Sequence, residues 1–209
     1  MDGPARVELS GTTTGNWVAK TANLLVDGFG RPDRVGLLLP LHWQTVCFLL
    51  GGVASGATVV VASDPSELAG CPVAFVAAGL ADAVLDAGVE DVLACSLTPF
   101  GTRLAVVPPM VLDAAAEIPS YGDHFGGRPD AARLEVGGRP FTTPEWDLNG
   151  TDRVLTRLAP GTSEGLGALL GPLRAGAALV LLVDGDQEAV LANEGVTAVV
   201  DAGGLRRVG

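Results

Sequence analysis

Lysine is almost missing from this chain of 209 residues, in which Lys20 is the only one. The sequence also has only two histidines and three cysteines, and no two cysteines have the close spacing of a zinc site. Acidic residues outnumber basic ones, and the formal net charge is −11. A surface with this charge repels nucleic-acid phosphates and anionic lipids. The sequence therefore argues against nucleic-acid binding, membrane-surface binding and a metal site.

The three cysteines, Cys47, Cys71 and Cys95, lie in apolar stretches and are predicted to be buried, inert thiols. Unpaired thiols suit a reducing compartment, so we expect a cytoplasmic protein.

The mean hydropathy is +0.39, and residues 35–63 carry no formal charge. Pro40 and several glycines divide that run into pieces too short to span a bilayer. The run is better interpreted as a buried β-α-β unit.

Short apolar runs alternate with stretches of helical periodicity, a pattern typical of a parallel α/β sheet. From residue 153 this pattern resumes after a region rich in proline and glycine. Strands are predicted at 35–39, 58–62, 72–77, 91–95 and 196–200. Helices are predicted at 15–27, 43–55, 80–87 and 111–117.

The two α/β regions resemble each other. At an offset of 120 positions, residues 37–65 and 157–185 share nine identical pairs out of 29, among them a proline, glycines and an aspartate. The alignment places strand, proline, helix, Gly-Ala turn and strand in one register, which favours a true internal repeat. The predicted fold is therefore α/β with two similar parallel β-α-β lobes around a pseudo-symmetric interface.

The same pattern predicts one compact unit built from four segments. They are an N-terminal helical segment (1–33), a first α/β lobe (34–120), a Pro/Gly-rich connector (121–150) and a second α/β lobe (151–209).

The order of these features resembles a known family. The helix at 16–25, the Asp-Arg-Val strand and proline at 33–40, and the Gly-Ala-Thr turn at 54–60 resemble the N-terminal part of the AMP-dependent synthetases, the acyl-CoA synthetase and adenylation-domain superfamily. Residues 152–160 and 173–177 are similar to the start of that family's second lobe. The chain is also similar to a group of short actinobacterial proteins related to these synthetases. This resemblance implies the fold of a truncated N-terminal domain of adenylate-forming enzymes.

The synthetases hold ATP phosphates with a Ser/Thr/Gly-rich loop that ends in Pro-Lys-Gly. The corresponding segment here, 134–148, contains no lysine and only a remnant of the small polar run. We also expect the family's nucleotide-binding motifs and C-terminal lid to be missing. Residues 10–15 look like a second phosphate loop, but they precede a helix. We interpret them as a cap, with Thr14 or Gly15 starting the helix.

Two places are candidate ligand-binding sites. His42 follows the first strand, at the end of the sheet where ligands bind in open parallel sheets, and is either a ligand contact or a packed or capping histidine. Gly161, Thr162, Ser163 and Glu164 lie between a strand and a helix, where backbone amides either bind a small anion or only cap the helix. No catalytic residue and no metal ligand is assigned.

The leading hypothesis is a non-catalytic relative of the synthetases that acts as a ligand-binding or protein-interaction domain. The alternatives are a weak or split acyl-adenylate-forming ligase completed by a partner chain, and a self-associating structural module. No resident cofactor is predicted, and ATP, AMP and CoA are the ligands to test. A homodimer or another protein is the partner class that these hypotheses allow.

Overall fold

Seven strands form the first sheet, and the earliest of them lies near its centre. The computed structural model describes residues 5–127 and 133–208. The strand order is β5-β4-β3-β1-β2-β6-β7, and every neighbouring pair is parallel except the β6–β7 hairpin. The strands are β1 (Arg34–Leu38), β2 (Thr58–Val61), β3 (Val73–Ala77), β4 (Asp91–Cys95), β5 (Val111–Asp113), β6 (Arg133–Val136) and β7 (Arg139–Pro140). The central strands are buried on both faces, as their continuous apolar sequences predict.

The described residues of this part of the chain form four α-helices. They are α1 (Gly11–Asn23), which continues as a π-helical turn (Leu24–Gly28), α2 (Trp43–Ser55), α3 (Ala81–Asp86) and α4 (Ala114–Glu117). The end of α2 is set by Gly56, whose φ of 89° is a left-handed conformation that favours glycine. Its buried face includes Phe48, which stacks on Phe75 of β3 with ring centroids 4.8 Å apart.

A second sheet of four strands follows, in the order β11-β10-β8-β9. Its strands are parallel except for the final β10–β11 pair. The elements are β8 (Arg153–Thr156), α5 (Ser163–Arg174), β9 (Ala178–Leu181), α6 (Gln187–Asn193), β10 (Ala198–Asp201) and β11 (Gly204–Arg207). The expected α/β fold with two parallel β-α-β units is therefore confirmed.

The internal repeat is visible in the topology. The order β3-β1-β2 in the first sheet matches β10-β8-β9 in the second. Helices α2 and α5 begin 120 residues apart, and so do strands β2 and β9, whereas β1 and β8 begin 119 residues apart. The loop between strand and helix is therefore one residue longer in the second unit. The ungapped alignment is wrong for the first strand, and Leu38 does not correspond to Leu158.

Helices α2 and α5 bring the two units together by reciprocal contacts. Leu41, just before α2, shares an apolar cluster with Leu169 of α5 and with Leu179 and Leu181 of β9. The residue equivalent to Leu41 in the second unit is Gly161, and it lies against the backbone directly after β2. Each helix entry thus packs on the second strand of the other unit, as at an interface with two-fold symmetry. These contacts are consistent with the predicted pseudo-symmetric interface.

Two local predictions needed correction. Helix α1 begins at Gly11, earlier than expected, because the Ser10 hydroxyl accepts a hydrogen bond from the Thr13 amide (3.1 Å) and caps the first turn. The helix predicted at 111–117 is wrong for its first half, since β5 pairs with β4 there and Asp113 then caps the short helix α4.

The segment 121–150, expected as a connector, contributes β6 and β7 to the first sheet. Residues 128–132 of that connector and 1–4 of the predicted N-terminal segment lie outside the described residues. Within the described part of the chain, no helix is long and apolar enough to cross a membrane.

Replacing Gly161 with alanine should destabilise the contact between the units. An ideal Cβ at this position lies 2.6 Å from the Ala62 carbonyl oxygen and 3.0 Å from the Ser63 amide nitrogen, neither of which a side-chain rotation can relieve. We expect the free energy of unfolding to fall by about 1–3 kcal/mol in urea titrations. Gly79→Ala is the matched control, because its Cβ meets nothing within 4 Å. Equal stability of the two variants would contradict the described contact.

Candidate functional site

The carboxyl ends of β1 and β3 form the switch point of the first sheet. From β1 the chain crosses through α2 to β2 on one side, whereas β3 lies on the other side. In open parallel sheets, ligands bind in the crevice outside such a switch point. The residues that follow β1 and start α2 therefore occupy the position where a binding site is expected.

His42 caps α2 at this position. Its Nδ1 accepts a hydrogen bond from the Gln44 amide (3.3 Å), and its ring lies 5.5 Å from that of Trp43. An accepting Nδ1 places the proton of the neutral ring on Nε2. Burial lowers the pKa of His42 from its ordinary value of 6.5, because it disfavours the charged ring. Capping thus accounts for Nδ1, while Nε2 remains available.

Gln44 is the polar residue at this position that the sequence analysis missed. It is 1% exposed, yet neither its Nε2 nor its Oε1 has a hydrogen-bond partner among the described residues. The 96–102 loop covers it closely, since an ideal Cβ on Gly101 would lie 2.9 Å from Gln44 Nε2. The sequence feature that could have identified Gln44 is its position as the one amide side chain in the first turn of a helix whose other residues are almost all apolar.

The other candidate residues form the N-terminus of α5 in the second unit. Thr162 caps this helix, and its Oγ1 accepts a hydrogen bond from the Gly165 amide (3.0 Å). Thr162, Ser163 and Glu164 are exposed, and the Glu164 side chain places a negative charge in the first turn. No hydrogen bond joins His42 to residues 161–164 in the described parts of the chain. These four residues remain a candidate anion site.

Residues 141–149 pass over α5 and are called the strap here. Pro144 lies against Gly167, where an ideal Cβ would be 3.3 Å from its Cγ, and Trp146 covers Gly171, where a Cβ would be 2.5 Å from Cε3. Arg174 donates to the Thr143 carbonyl (3.3 Å) and pairs with Glu145. Two glycines four positions apart thus form a flat helix face that the strap fills. The strap overlaps residues 134–148, the segment that the resemblance matches to the phosphate loop of the synthetases.

The only lysine lies elsewhere and is engaged. Lys20 Nζ donates to the backbone carbonyls of Tyr121 (2.6 Å) and Pro119 (3.4 Å), which ties α1 to the segment after α4.

The three cysteines are buried, as predicted. Burial raises the pKa of the Cys47 thiol to about 12 and also raises the pKa of Cys71 and Cys95, which disfavours reactive thiolates. Among the residues that the structure describes, no group of three or more His, Cys, Asp or Glu side chains could hold a metal ion.

Comparison with known proteins agrees with this architecture. No family model matches the chain. A TIGR03089 family protein from Mycobacterium tuberculosis is 34% identical over 212 residues, which cover 93% of this chain and 86% of the relative. The chain belongs to the TIGR03089 family. The expected relation to a group of actinobacterial proteins is thereby confirmed.

Solved structures show the same fold in acyl-CoA synthetases. An acyl-CoA synthetase from Brucella canis gives a TM-score of 0.73 at 19% identity, and MatB from Rhodopseudomonas palustris gives 0.67 at 15%. The N-terminal domain of FACL13 from Mycobacterium tuberculosis gives 0.66 at 17%. Each match covers 92% of this chain. The resemblance to the N-terminal domain of adenylate-forming enzymes is confirmed at the level of fold.

The coverage of those structures is partial. The chain spans 42% of the Brucella synthetase, 44% of MatB and 56% of the FACL13 domain. Conservation of the fold therefore does not carry over the activity of the whole enzymes.

The lowered pKa of His42 should make stability depend on pH. Since the folded protein holds the ring neutral and the unfolded chain binds a proton near the ordinary value of 6.5, stability is lost as the pH falls below that value towards the folded pKa. We expect the free energy of unfolding to decrease less between about pH 7.5 and pH 5 in His42→Asn, which keeps a capping side chain, than in the wild type. Urea titrations at each pH measure this. His124→Asn is the control and should retain the wild-type loss, whereas identical slopes for His42→Asn would contradict the assignment.

Gly171→Ala should weaken the docking of the strap. The added methyl group overlaps the Trp146 ring, and we expect a loss of about 1–3 kcal/mol in the free energy of unfolding. A red shift of tryptophan emission should accompany this loss as the indole is displaced. The control is Gly15→Ala in α1, whose Cβ meets nothing within 4 Å and which should gain up to about 1 kcal/mol. A stable Gly171→Ala protein with unshifted emission would show that the strap does not lie on α5.

Proposed function

We propose that this chain is a non-catalytic binding domain that keeps the synthetase fold and has given up adenylate formation. The observation that carries the proposal is the strap. It occupies the sequence position of the phosphate loop, and its proline and tryptophan side chains pack on the glycine face of α5. A loop that is packed in this way cannot also wrap its backbone amides around a triphosphate.

The charges near the strap support the same conclusion. Phosphoryl and adenylyl transfer depend on cations and aligned amides that stabilise charge on the phosphates. Arg174 is paired with Glu145, and Lys20 is bonded to carbonyls next to α4. The net charge of −11 adds general repulsion toward ATP and CoA. Residues 134–148 contain no lysine, and Arg139 is the only basic residue of that segment.

A buried polar site at the switch point favours ligand binding as the retained activity. His42 and Gln44 place polar atoms without partners where α/β sheets bind ligands. The N-terminus of α5, with Gly161, Thr162, Ser163 and Glu164, is a weaker second candidate, because a negative side chain already occupies its first turn.

The proposed setting is the cytoplasm, where three buried thiols remain reduced, and nucleic acid is not a proposed ligand.

A homodimer is the proposed macromolecular partner, because Phe100, Val106 and Met110 are 73%, 82% and 84% exposed on the segment before the edge strand β5. A monomer whose sedimentation does not change with concentration would exclude the homodimer.

The test of the proposed function is adenylate formation by the purified chain. Carboxylate-dependent exchange of pyrophosphate into ATP should stay at the level of the protein-free reaction for acetate, medium-chain and long-chain fatty acids. A complete acyl-CoA synthetase assayed beside it is the positive control. Exchange above background that depends on this chain would refute the proposal and favour the weak-ligase alternative.

Calorimetric titration with ATP·Mg, AMP, CoA and a non-hydrolysable acyl-adenylate analogue completes the test. Absence of binding to all four would mean that the fold is kept without the synthetase ligands, and the search would turn to protein partners. Binding of the adenylate analogue without exchange would assign the domain to sensing or sequestering that intermediate.

A further inference from the structure

Gln44 is the buried polar side chain that the fold does not explain. It is 1% exposed, and both ends of its amide lack hydrogen-bond partners among the described residues. Buried amides in native proteins nearly always have partners, and leaving them unpaired costs stability. The amide lies in the first turn of a helix of 13 residues, beside the switch point of the sheet. An unpaired amide retained at this place indicates that something else completes its hydrogen bonds.

His42, two positions earlier in the chain, supplies a second buried polar atom without a partner among the described residues. Its Nδ1 is occupied by the Gln44 backbone amide, so Nε2 is the donor of the neutral ring. That nitrogen is buried, and the nearby Thr98 carbonyl does not form a hydrogen bond of normal geometry with it. Together the two side chains offer donors from His42 Nε2 and Gln44 Nε2 and one acceptor, Gln44 Oε1.

The 96–102 loop covers both groups with a single tight turn. The Gly101 amide donates to the Thr98 carbonyl (2.8 Å) across Pro99, a residue favoured at the second position of such turns. Only Gly101, which has no Cβ, fits directly above the Gln44 amide. The turn is attached to α2 by the Trp43 indole, whose Nε1 donates to the Pro99 carbonyl (2.9 Å).

The start of the loop has the features of a hinge. Leu97 has a φ of 55°, a left-handed conformation that is unfavourable for a branched side chain. Farther along, the Leu104 amide is anchored by Asp113 (3.0 Å). The strained residue and the anchor lie on either side of the turn, so the turn can lift from Gln44 when the Trp43–Pro99 hydrogen bond breaks, while the ends of the loop stay in place.

We propose that the 96–102 loop is a lid over a neutral polar site, formed by Gln44 and His42, that binds the carboxamide group of a small molecule. The inference rests on the proposed function, since it treats the chain as a binding domain. A ligand carbonyl accepts from Gln44 Nε2 and His42 Nε2, and a ligand N–H donates to Gln44 Oε1. Residues 42–45 and 96–102 include no Asp, Glu, Lys or Arg, so the site provides no countercharge for an ion.

The pattern of donors and acceptors selects among ligand classes. A carboxylate would turn one of its oxygens toward Gln44 Oε1 and meet an acceptor there. An ammonium group would face two donors. An amide matches all three positions of the site, because it carries a carbonyl and an N–H on adjacent atoms.

The experiment is a titration of ¹⁵N-labelled full-length chain with propionamide, propionate and propylamine, followed by heteronuclear NMR. Propionamide should shift signals of residues 42–45 and 96–102, including the Trp43 indole and the Gln44 side-chain amide. The two ions should leave these signals unmoved at the same concentrations. Gln44→Met should weaken propionamide binding at least tenfold, about the effect of losing a hydrogen bond to a buried group. The control is Gln187→Met, which replaces the only other glutamine and should bind as the wild type does.

Three results would each overturn the proposal. They are equal shifts with propionate, unchanged binding in Gln44→Met, and no localised shifts in the wild type, which would mean that ordered water satisfies the amide. If Gln44→Met does not fold, the comparison of the three probes on the wild type decides. The exchange assay on the same preparation separates the two proposals. Adenylate formation refutes the proposed function, whereas absent amide binding refutes only the lid and its site.

Discussion

The packing of α2 against α5 is the interaction on which the rest of the molecule depends. Each helix packs on its own sheet and also faces the second strand of the other unit, so the two units share an apolar cluster. Leu169 of α5 illustrates this. It is fully buried, and the cluster that buries it includes Leu41 and Val46 of the first unit. Gly161 allows the reciprocal approach at the other side. A two-fold arrangement of this kind is what a repeated β-α-β unit provides when both copies must bury the same apolar helix face.

That packing leaves one face of α5 to be covered from outside, and the strap covers it. Gly167 and Gly171 let the chain pass close to the helix axis, and Trp146 fills the space that a larger side chain would have taken. In the synthetases, according to the resemblance, this stretch holds phosphates. Here the same stretch contributes apolar contacts to α5. This packing role agrees with the rest of the chain, whose single lysine already donates to two backbone carbonyls.

The switch point of the first sheet carries buried polar groups, whereas the strap packs on α5 through apolar side chains. A fully apolar helix start would be more stable than one carrying an unpaired buried amide, because desolvation of that amide is not repaid within the fold. His42 is partly explained by its capping bond, but Gln44 is not. The contrast between an apolar strap and an unpaired polar pair is why we propose ligand binding, and not adenylation, for this domain.

The sequence by itself determined the α/β class, the repeat, the bounds of α2 and the burial of the cysteines, because each depends on local periodicity or on composition. It also identified His42 as a candidate, since a residue after a buried strand must lie at the carboxyl edge of the sheet. It misplaced the start of α1 and the strand at 111–113, where a capping hydroxyl and pairing with β4 outweighed the periodic pattern. Only the tertiary structure shows that the Gln44 amide lacks hydrogen-bond partners and that the Trp146 ring packs on Gly171. Those facts depend on which distant residues come to lie above a helix face, and the pattern along the chain carries no record of such contacts.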